Sequence, residues 1–260
     1  MSSFASNARS QISQHAIGPI VGLVEDTINT VQSISFERPK SAFLKGNFAP
    51  TNKEQTLRAL SVEGTIPKDL RGTFLRVGPN QKYDPKGAYH AFDGDGMVHG
   101  VRFSDEGVSY SNRWVQTSKL SQEDEVEENI FINVGDMTGA VGLAKMSLFK
   151  LRSKVGIIDD TQGTGRANTS LLSHGGKLLA LHEADAPYEL SLSEDAAVQT
   201  LGRSDFEGNL DFPFTAHPKV DPRTGELLFF GYQLDKKPYC KLGFVNADGE
   251  WVKSFAVDFD

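Results

Sequence analysis

The sequence predicts an all-β chain, a propeller or a sandwich assembled from short antiparallel hairpins. Three observations carry that prediction. From Leu57 onward, short apolar-rich runs come in pairs around turn sequences, the pattern of hairpins rather than of crossovers. Val98–Phe103 and Val108–Val115 flank Ser104-Asp105-Glu106-Gly107, and Thr169–Leu172 and Lys177–His182 flank Ser173-His174-Gly175-Gly176. Tyr239–Val245 and Trp251–Val257 flank Asn246-Ala247-Asp248-Gly249, while Leu227–Leu234 follows Asp221-Pro222-Arg223-Thr224-Gly225. Helical periodicity is scarce across the same span, and many small meander-like turns favour radial or stacked sheets. Propeller blades run on the order of 40–50 residues, so roughly three to four would fit after the first 50 residues.

Taken in order, residues 1–50 read as an N-terminal extension. Ile20, Leu23, Val24, Ile28, Val31 and Ile34 fall mostly at helical spacing, which predicts an amphipathic helix packed on the main domain. Its polar face lacks the cations of a membrane-surface helix. Phe48-Ala49-Pro50-Thr51-Asn52 is a linker into a second region, 51–260. That region is interrupted at about 121–167 by an acidic run (Glu123 to Glu128) followed by apolar and small residues and then Lys145, Lys150, Arg152 and Lys154. The expectation is a capping insertion with one solvated face; the functional alternative is an apolar lip that dips into lipid with basic residues at the headgroups.

Composition narrows the function. The 260 residues carry a net charge of −7 and no long basic block, which argues against a nucleic-acid partner. A single cysteine, Cys240, forms no internal disulfide and fits a reducing compartment. No apolar run is long enough to span a bilayer. The first 24 residues hold Arg9 and no acid, a faint transit-peptide character. A cytoplasmic site is expected, with the plastid as the alternative.

Several motifs can be weighed one by one. Gly72 to Gly100 is dense in glycine and charge and includes Phe92-Asp93-Gly94-Asp95-Gly96-Met97-Val98-His99; its glycines are expected in turns that tolerate positive φ. A calcium loop counted from Asp93 fails, since its sixth and twelfth positions are Val98 and Ser104. His174, between turn residues, is expected at the surface, and His15 lies in the extension. His182-Glu183-Ala184-Asp185-Ala186 begins like a zinc-protease helix, but alanine replaces the second histidine and the context is a strand. His217 stands in Thr215-Ala216-His217-Pro218-Lys219; Pro218 drives it out of helical geometry, so its imidazole projects from a strand end, a geometry suited to a metal ligand. There is no Gly-x-Ser-x-Gly elbow and no phosphate loop.

Together the Gly72–Gly100 string, the His182-Glu183 context and Ala216-His217-Pro218-Lys219 resemble the carotenoid cleavage oxygenases, a family that includes lignostilbene oxygenases and the retinal-pigment-epithelium retinoid isomerase. The resemblance runs from about Phe48 to Asp260, and Gly46-Asn47-Phe48-Ala49-Pro50 resembles the plant and algal branch. It implies part of a seven-bladed β-propeller with a helical cap. It also implies non-haem Fe(2+), with His217 as the first of four histidine ligands and the other three expected beyond Asp260. Glu183 matches a glutamate that orients a ligand histidine, expected to be one of those three rather than His217. No catalytic residue beyond the metal site is implied, and Phe212 and Phe214 are tunnel-lining candidates. The implied reaction is oxidative cleavage of a conjugated double bond in a carotenoid or apocarotenoid, giving carbonyl products. Its partners are a lipophilic polyene, dioxygen and a peripheral membrane surface. The alternative expectation is a non-catalytic propeller portion or binding remnant without a full iron site; a retinoid-type isomerase is a third.

Overall fold

The computed structural model describes residues 18–35, 41–233 and 236–258. The strands among them form three four-stranded antiparallel sheets. The first contains β1 (Gln55–Leu57), β2 (Gly72–Asn80), β3 (Asp95–Ser104) and β4 (Gly107–Trp114), ordered β1-β4-β3-β2. Strands β3 and β4 close with Ser104 opposite Gly107. Asp105 and Glu106 therefore make a two-residue turn, and Gly107 takes a φ of +116°, which glycine adopts without a steric penalty. The second and third sheets are simple meanders: β5 (Ser170–His174), β6 (Lys177–Leu181), β7 (Tyr188–Leu192) and β8 (Val198–Arg203), then β9 (Lys219–Val220), β10 (Leu227–Tyr232), β11 (Cys240–Val245) and β12 (Trp251–Val257).

The expected hairpins stand where their turn residues lie. Strands β7 and β8 escaped the pattern, because Val198-Gln199-Thr200-Leu201-Gly202-Arg203 has too few apolar residues to read as a strand. Sheet one and sheet two share a core of Val98, Val115, Ala180, Tyr188, Leu190 and Val198, with Leu75 and Val77 packed on it. Sheet two and sheet three share a second core, rich in aromatics, that includes Leu179, Leu181, Phe206, Phe214, Leu227 and Phe229. Strand β10 alternates strictly between buried and exposed residues, so Leu228, Phe230 and Tyr232 face outward on the third sheet.

The glycines of the 92–96 motif do other work than expected. Neither Gly94 nor Gly96 has a positive φ. A β-carbon at Gly96 would collide with the carbonyl oxygens of Arg166 and Ala167, and one at Gly94 with the Pro79–Asn80 backbone. They permit close backbone approach, and the Gly96 N–H bonds the Arg166 carbonyl at 2.8 Å.

Among the described residues, those up to 51, 81–93 and 118–163 group as one compact unit, and 52–80, 94–117 and those from 164 onward as another. The first unit holds α1 (Gly18–Ser35), α2 (Ser118–Val126) and α3 (Gly139–Lys154). The expected amphipathic helix is α1, and it packs on the insertion: Val21 and Ile28 join Ile130, Phe131, Leu148, Phe149, Ile157 and Ile158 in one cluster. Glu25 on α1 pairs with Arg152 on α3 at 2.7 Å.

Within the insertion, Glu125, Glu127 and Glu128 of the acidic run are exposed, but Glu123 and two of the basic residues turn inward. Glu123 is fully buried. It pairs with Lys119 one turn earlier at 2.6 Å, and its Oε1 accepts the Ile130 and Phe131 N–H groups and the Asn129 amide. These donors have no water to turn to, so the carboxylate is drawn inward. Of the four basic residues read as headgroup contacts, Lys145 is buried against Asp136 at 2.5 Å, and Arg152 is buried between Glu25 and the Ile130 carbonyl. Lys150 and Lys154 remain exposed. Among the described residues no helix is long and apolar enough to cross a membrane.

Candidate metal centre

The site forms where the segment after β6 meets the segment before β9. Phe214 bridges to Asp185 in antiparallel fashion, its N–H donating to the Asp185 carbonyl at 3.0 Å, and the Thr215 N–H donates to the Phe230 carbonyl of β10 at 2.8 Å. Ser170 Oγ donates to the Ala216 carbonyl at 2.5 Å. His217 thus emerges from a backbone pinned on both sides. The approach of this strand also explains Gly231, where a β-carbon would collide with the Pro213 carbonyl.

The three residues at the centre are Thr215, Glu183 and His217. Thr215 is buried, Glu183 is part-buried, and the His217 ring is 65% exposed. Glu183 Oε1 lies 3.6 Å from His217 Nε2 and accepts from Thr215 Oγ1 at 3.3 Å. The His217 N–H in turn donates to Thr215 Oγ1 at 3.1 Å. The Glu183 carboxylate, expected to orient another ligand histidine, lies 3.6 Å from the His217 ring.

Behind them, Asp185 locks the loop. Its side chain accepts the Gly165 N–H at 2.9 Å, the Ala186 N–H at 2.7 Å and Arg203 Nε at 2.8 Å. The neighbouring His182 has its pKa pushed down to about 4, first by burial and then by the Arg166 cation. Its Nδ1 accepts the Ala184 N–H at 3.2 Å, so the neutral ring carries its proton on Nε2.

The remaining histidines are placed elsewhere. His99 Nδ1 lies 2.7 Å from the Tyr110 hydroxyl, and burial lowers its pKa. His90 flanks a structural carboxylate: Asp93 accepts the His90, Val134 and Gly135 N–H groups. His174, expected at the surface, is half-buried and its Nε2 meets the Asn246 carbonyl at 2.7 Å, because Gly175 and Gly249 let the two turns touch. His15 lies outside the described residues. Phe212 and Phe214, read as tunnel-lining, are instead core: Phe214 stacks on Phe229 with centroids 4.1 Å apart, and Phe212 on the same ring at 5.6 Å.

Among the described residues no group of three or more histidine, cysteine, aspartate or glutamate side chains converges to hold an ion. The donor chemistry fits one corner of an imidazole-ligated centre: an accessible histidine on a rigid backbone, with a carboxylate beside its ring. Sequence reasoning reached His217 and Glu183 but missed Thr215 and Asp185. Both sit inside strings already singled out, and neither belongs to a ligand-type motif.

Residues 48–260 match the family described as RPE65, retinal pigment epithelial membrane protein. The chain belongs to this family, which includes the carotenoid cleavage dioxygenases. It is 48% identical over 208 residues to carotenoid 9,10(9',10')-cleavage dioxygenase 1 of Arabidopsis thaliana, covering 80% of this chain and 38% of that protein. The crystal structure of Pseudomonas brassicacearum lignostilbene dioxygenase superposes with a TM-score of 0.66 at 30% identity, over 83% of this chain and 42% of that one. A cobalt-substituted Synechocystis ACO superposes with a TM-score of 0.61 at 28% identity, over 81% and 43%. Other relatives, 37–39% identical, are named chloroplastic. The chain spans less than half the length of these relatives. The structural relatives are β-propeller enzymes, and the propeller does not close within this chain.

Proposed function

We propose that this chain supplies part of a non-haem iron oxygenase that cleaves a conjugated double bond of a carotenoid or apocarotenoid. The observation that carries the reading is the Glu183–Thr215–His217 constellation on a pinned strand end, in a chain of this family. His217 would hold Fe(2+) as one of several histidine ligands, and the iron, when bound, supplies dioxygen activation. Cleavage breaks the carbon–carbon double bond and places one oxygen atom on each fragment, so both atoms of dioxygen are accounted for. The residues of this chain hold the backbone that carries the imidazole, through Thr215 and the Asp185–Phe214 bridge, and Glu183 serves to orient a ligand histidine. His182 contributes a neutral ring beside the site at physiological pH. The test is iron content together with product analysis on a carotenoid, for wild type and His217→Ala. Iron and two carbonyl products that disappear together in the variant support the reading; a wild-type protein with neither overturns it.

The second reading, a binding or remnant role without a complete iron site, draws on the lack, among the described residues, of any group of three or more histidine, cysteine, aspartate or glutamate side chains that could hold an ion. The same iron measurement separates the two. A retinoid-type isomerase would give a rearranged polyene in place of paired carbonyl products.

Membrane contact is proposed for the helical unit. Ile20, Leu23 and Val24 on α1 and Leu143 and Leu151 on α3 are exposed, and Thr27, Ile28, Ala140, Val141 and Ala144 line a shallow apolar groove. Lys150 and Lys154 supply the accessible cations. Leu23→Glu with Leu143→Glu is expected to abolish co-sedimentation with anionic vesicles; unchanged binding would refute the contact. A cytoplasmic or plastid location is open to direct test with a fluorescent fusion, the plastid gaining support from the chloroplastic relatives.

A further inference from the structure

We propose that His182 is a specificity-determining residue whose Nε2–H donates to an oxygen atom borne by the polyene, so that the site selects a hydroxylated or carbonyl-bearing chain over a hydrocarbon. The inference rests on the oxygenase reading and deepens it by naming the substrate class. Its first support is placement. His182 follows β6 and stands between two residues that are each tied to the segment leading into His217. On one side Leu181 lies opposite Ser170, whose Oγ donates to the Ala216 carbonyl at 2.5 Å. On the other, Glu183 Oε1 accepts from Thr215 Oγ1 at 3.3 Å. The strand end that presents the His217 imidazole therefore runs beside His182.

The second support is the state of the ring. Nδ1 accepts the Ala184 N–H at 3.2 Å, which closes a short turn, fixes the ring and leaves the proton of the neutral imidazole on Nε2. Burial and the Arg166 cation both oppose a charge there. Among the described residues Nε2–H has no hydrogen-bond partner, and it is not one of the sealed polar atoms, which are on Asn29 and Gln81. The donor thus opens to space that water fills until a ligand enters. A neutral N–H suits an apolar polyene better than an imidazolium does, because no charge has to be stripped of water. A hydrocarbon that displaces the water offers no acceptor, and the donor is left unpaired. A hydroxyl or carbonyl oxygen replaces the lost bond. Selection therefore comes as much from the penalty against the hydrocarbon as from attraction to the oxygenated chain.

The test compares wild type, His182→Leu and His182→Gln in the full chain, with two probes: an apocarotenal and a hydrocarbon polyene of equal conjugated length. Quenching of tryptophan fluorescence gives Kd for each probe, and nitrogen NMR reads the His182 ring. Wild type is expected to bind the apocarotenal about tenfold or more tightly than the hydrocarbon. His182→Leu should bind the two alike, and His182→Gln, which keeps an N–H donor, should hold most of the preference. The Nε2 signal should shift with the apocarotenal and stay in place with the hydrocarbon. A wild type without preference, a leucine variant that keeps it, or an Nε2 signal that ignores the apocarotenal overturns the assignment. Should His182→Leu fail to fold, the wild-type Nε2 shift decides alone. Cleavage of both polyenes with equal kcat/KM sinks the role of His182 and leaves the oxygenase reading standing. A wild type that prefers the apocarotenal yet holds no iron and cleaves neither probe keeps that role and sinks the oxygenase reading.

Discussion

The helical unit and the sheet unit solve the burial problem in opposite ways. In the sheet unit, Phe206, Phe212, Phe214, Phe229 and Trp251 stack and edge against one another in an apolar cluster, and the buried Asp185 carboxylate stands outside it. In the helical unit, ion pairs are buried: Lys119 with Glu123, Lys145 with Asp136 and Arg152 with Glu25. Leucines and isoleucines of the same helices meanwhile remain exposed. A packed aromatic core draws its stability from area and dispersion. A buried ion pair adds little net stability but penalises any arrangement that separates its members. The helical unit thus adds charge matching to its apolar cluster, and further apolar residues of its helices face outward.

The sharpest way to break the contrast is Phe229→Ala. The ring touches four aromatic neighbours, and such truncations cost about 3–5 kcal/mol; urea unfolding followed by tryptophan fluorescence should show the sheet unit losing that much. Glu123→Gln probes the other unit. It removes the carboxylate charge that faces the buried Lys119 ammonium at 2.6 Å, a change worth about 3 kcal/mol. The double variant Lys119→Met/Glu123→Gln should recover most of the loss, because the glutamine oxygen still serves the Ile130 and Phe131 N–H groups. Failure of that recovery would mean that the pair stabilises by attraction.

The third prediction concerns pH. His182 has a folded pKa of about 4 against 6.5 unperturbed, so the unfolded chain binds the extra proton between these values. Stability conferred by the neutral ring is complete above about pH 6.5 and falls as the solution is acidified towards 4. The loss between pH 7 and pH 5 should be about 2 kcal/mol. His182→Gln should flatten that slope in a denaturation series, leaving the smaller contribution of His99, which is depressed in the same direction. Smallest of all is Arg58→Ala. Its pair with Asp195 is exposed, so charge and solvent nearly cancel; an unfolding midpoint that does not move would confirm that ion pairs matter here only when buried.

Much of this was legible in the chain itself. Turn residues such as Asp105-Glu106-Gly107 and Asn246 to Gly249 mark hairpins because backbone sterics are local, and the helical spacing of Ile20 to Ile28 marks α1 for the same reason. The His217 context was readable because Pro218 restricts its neighbour irrespective of fold. Strand β8 was not, since its residues are strand-like only beside β7. What the tertiary structure alone decided are the partners: that Glu183 lies 3.6 Å from the His217 ring, that Thr215 joins them, that Phe212 and Phe214 are core, and that Glu123 turns inward. Each depends on residues distant in sequence meeting at hydrogen-bond or van der Waals range. Local propensity and spacing set which conformations a segment prefers, but a pairing energy exists only once folding has brought its two members together.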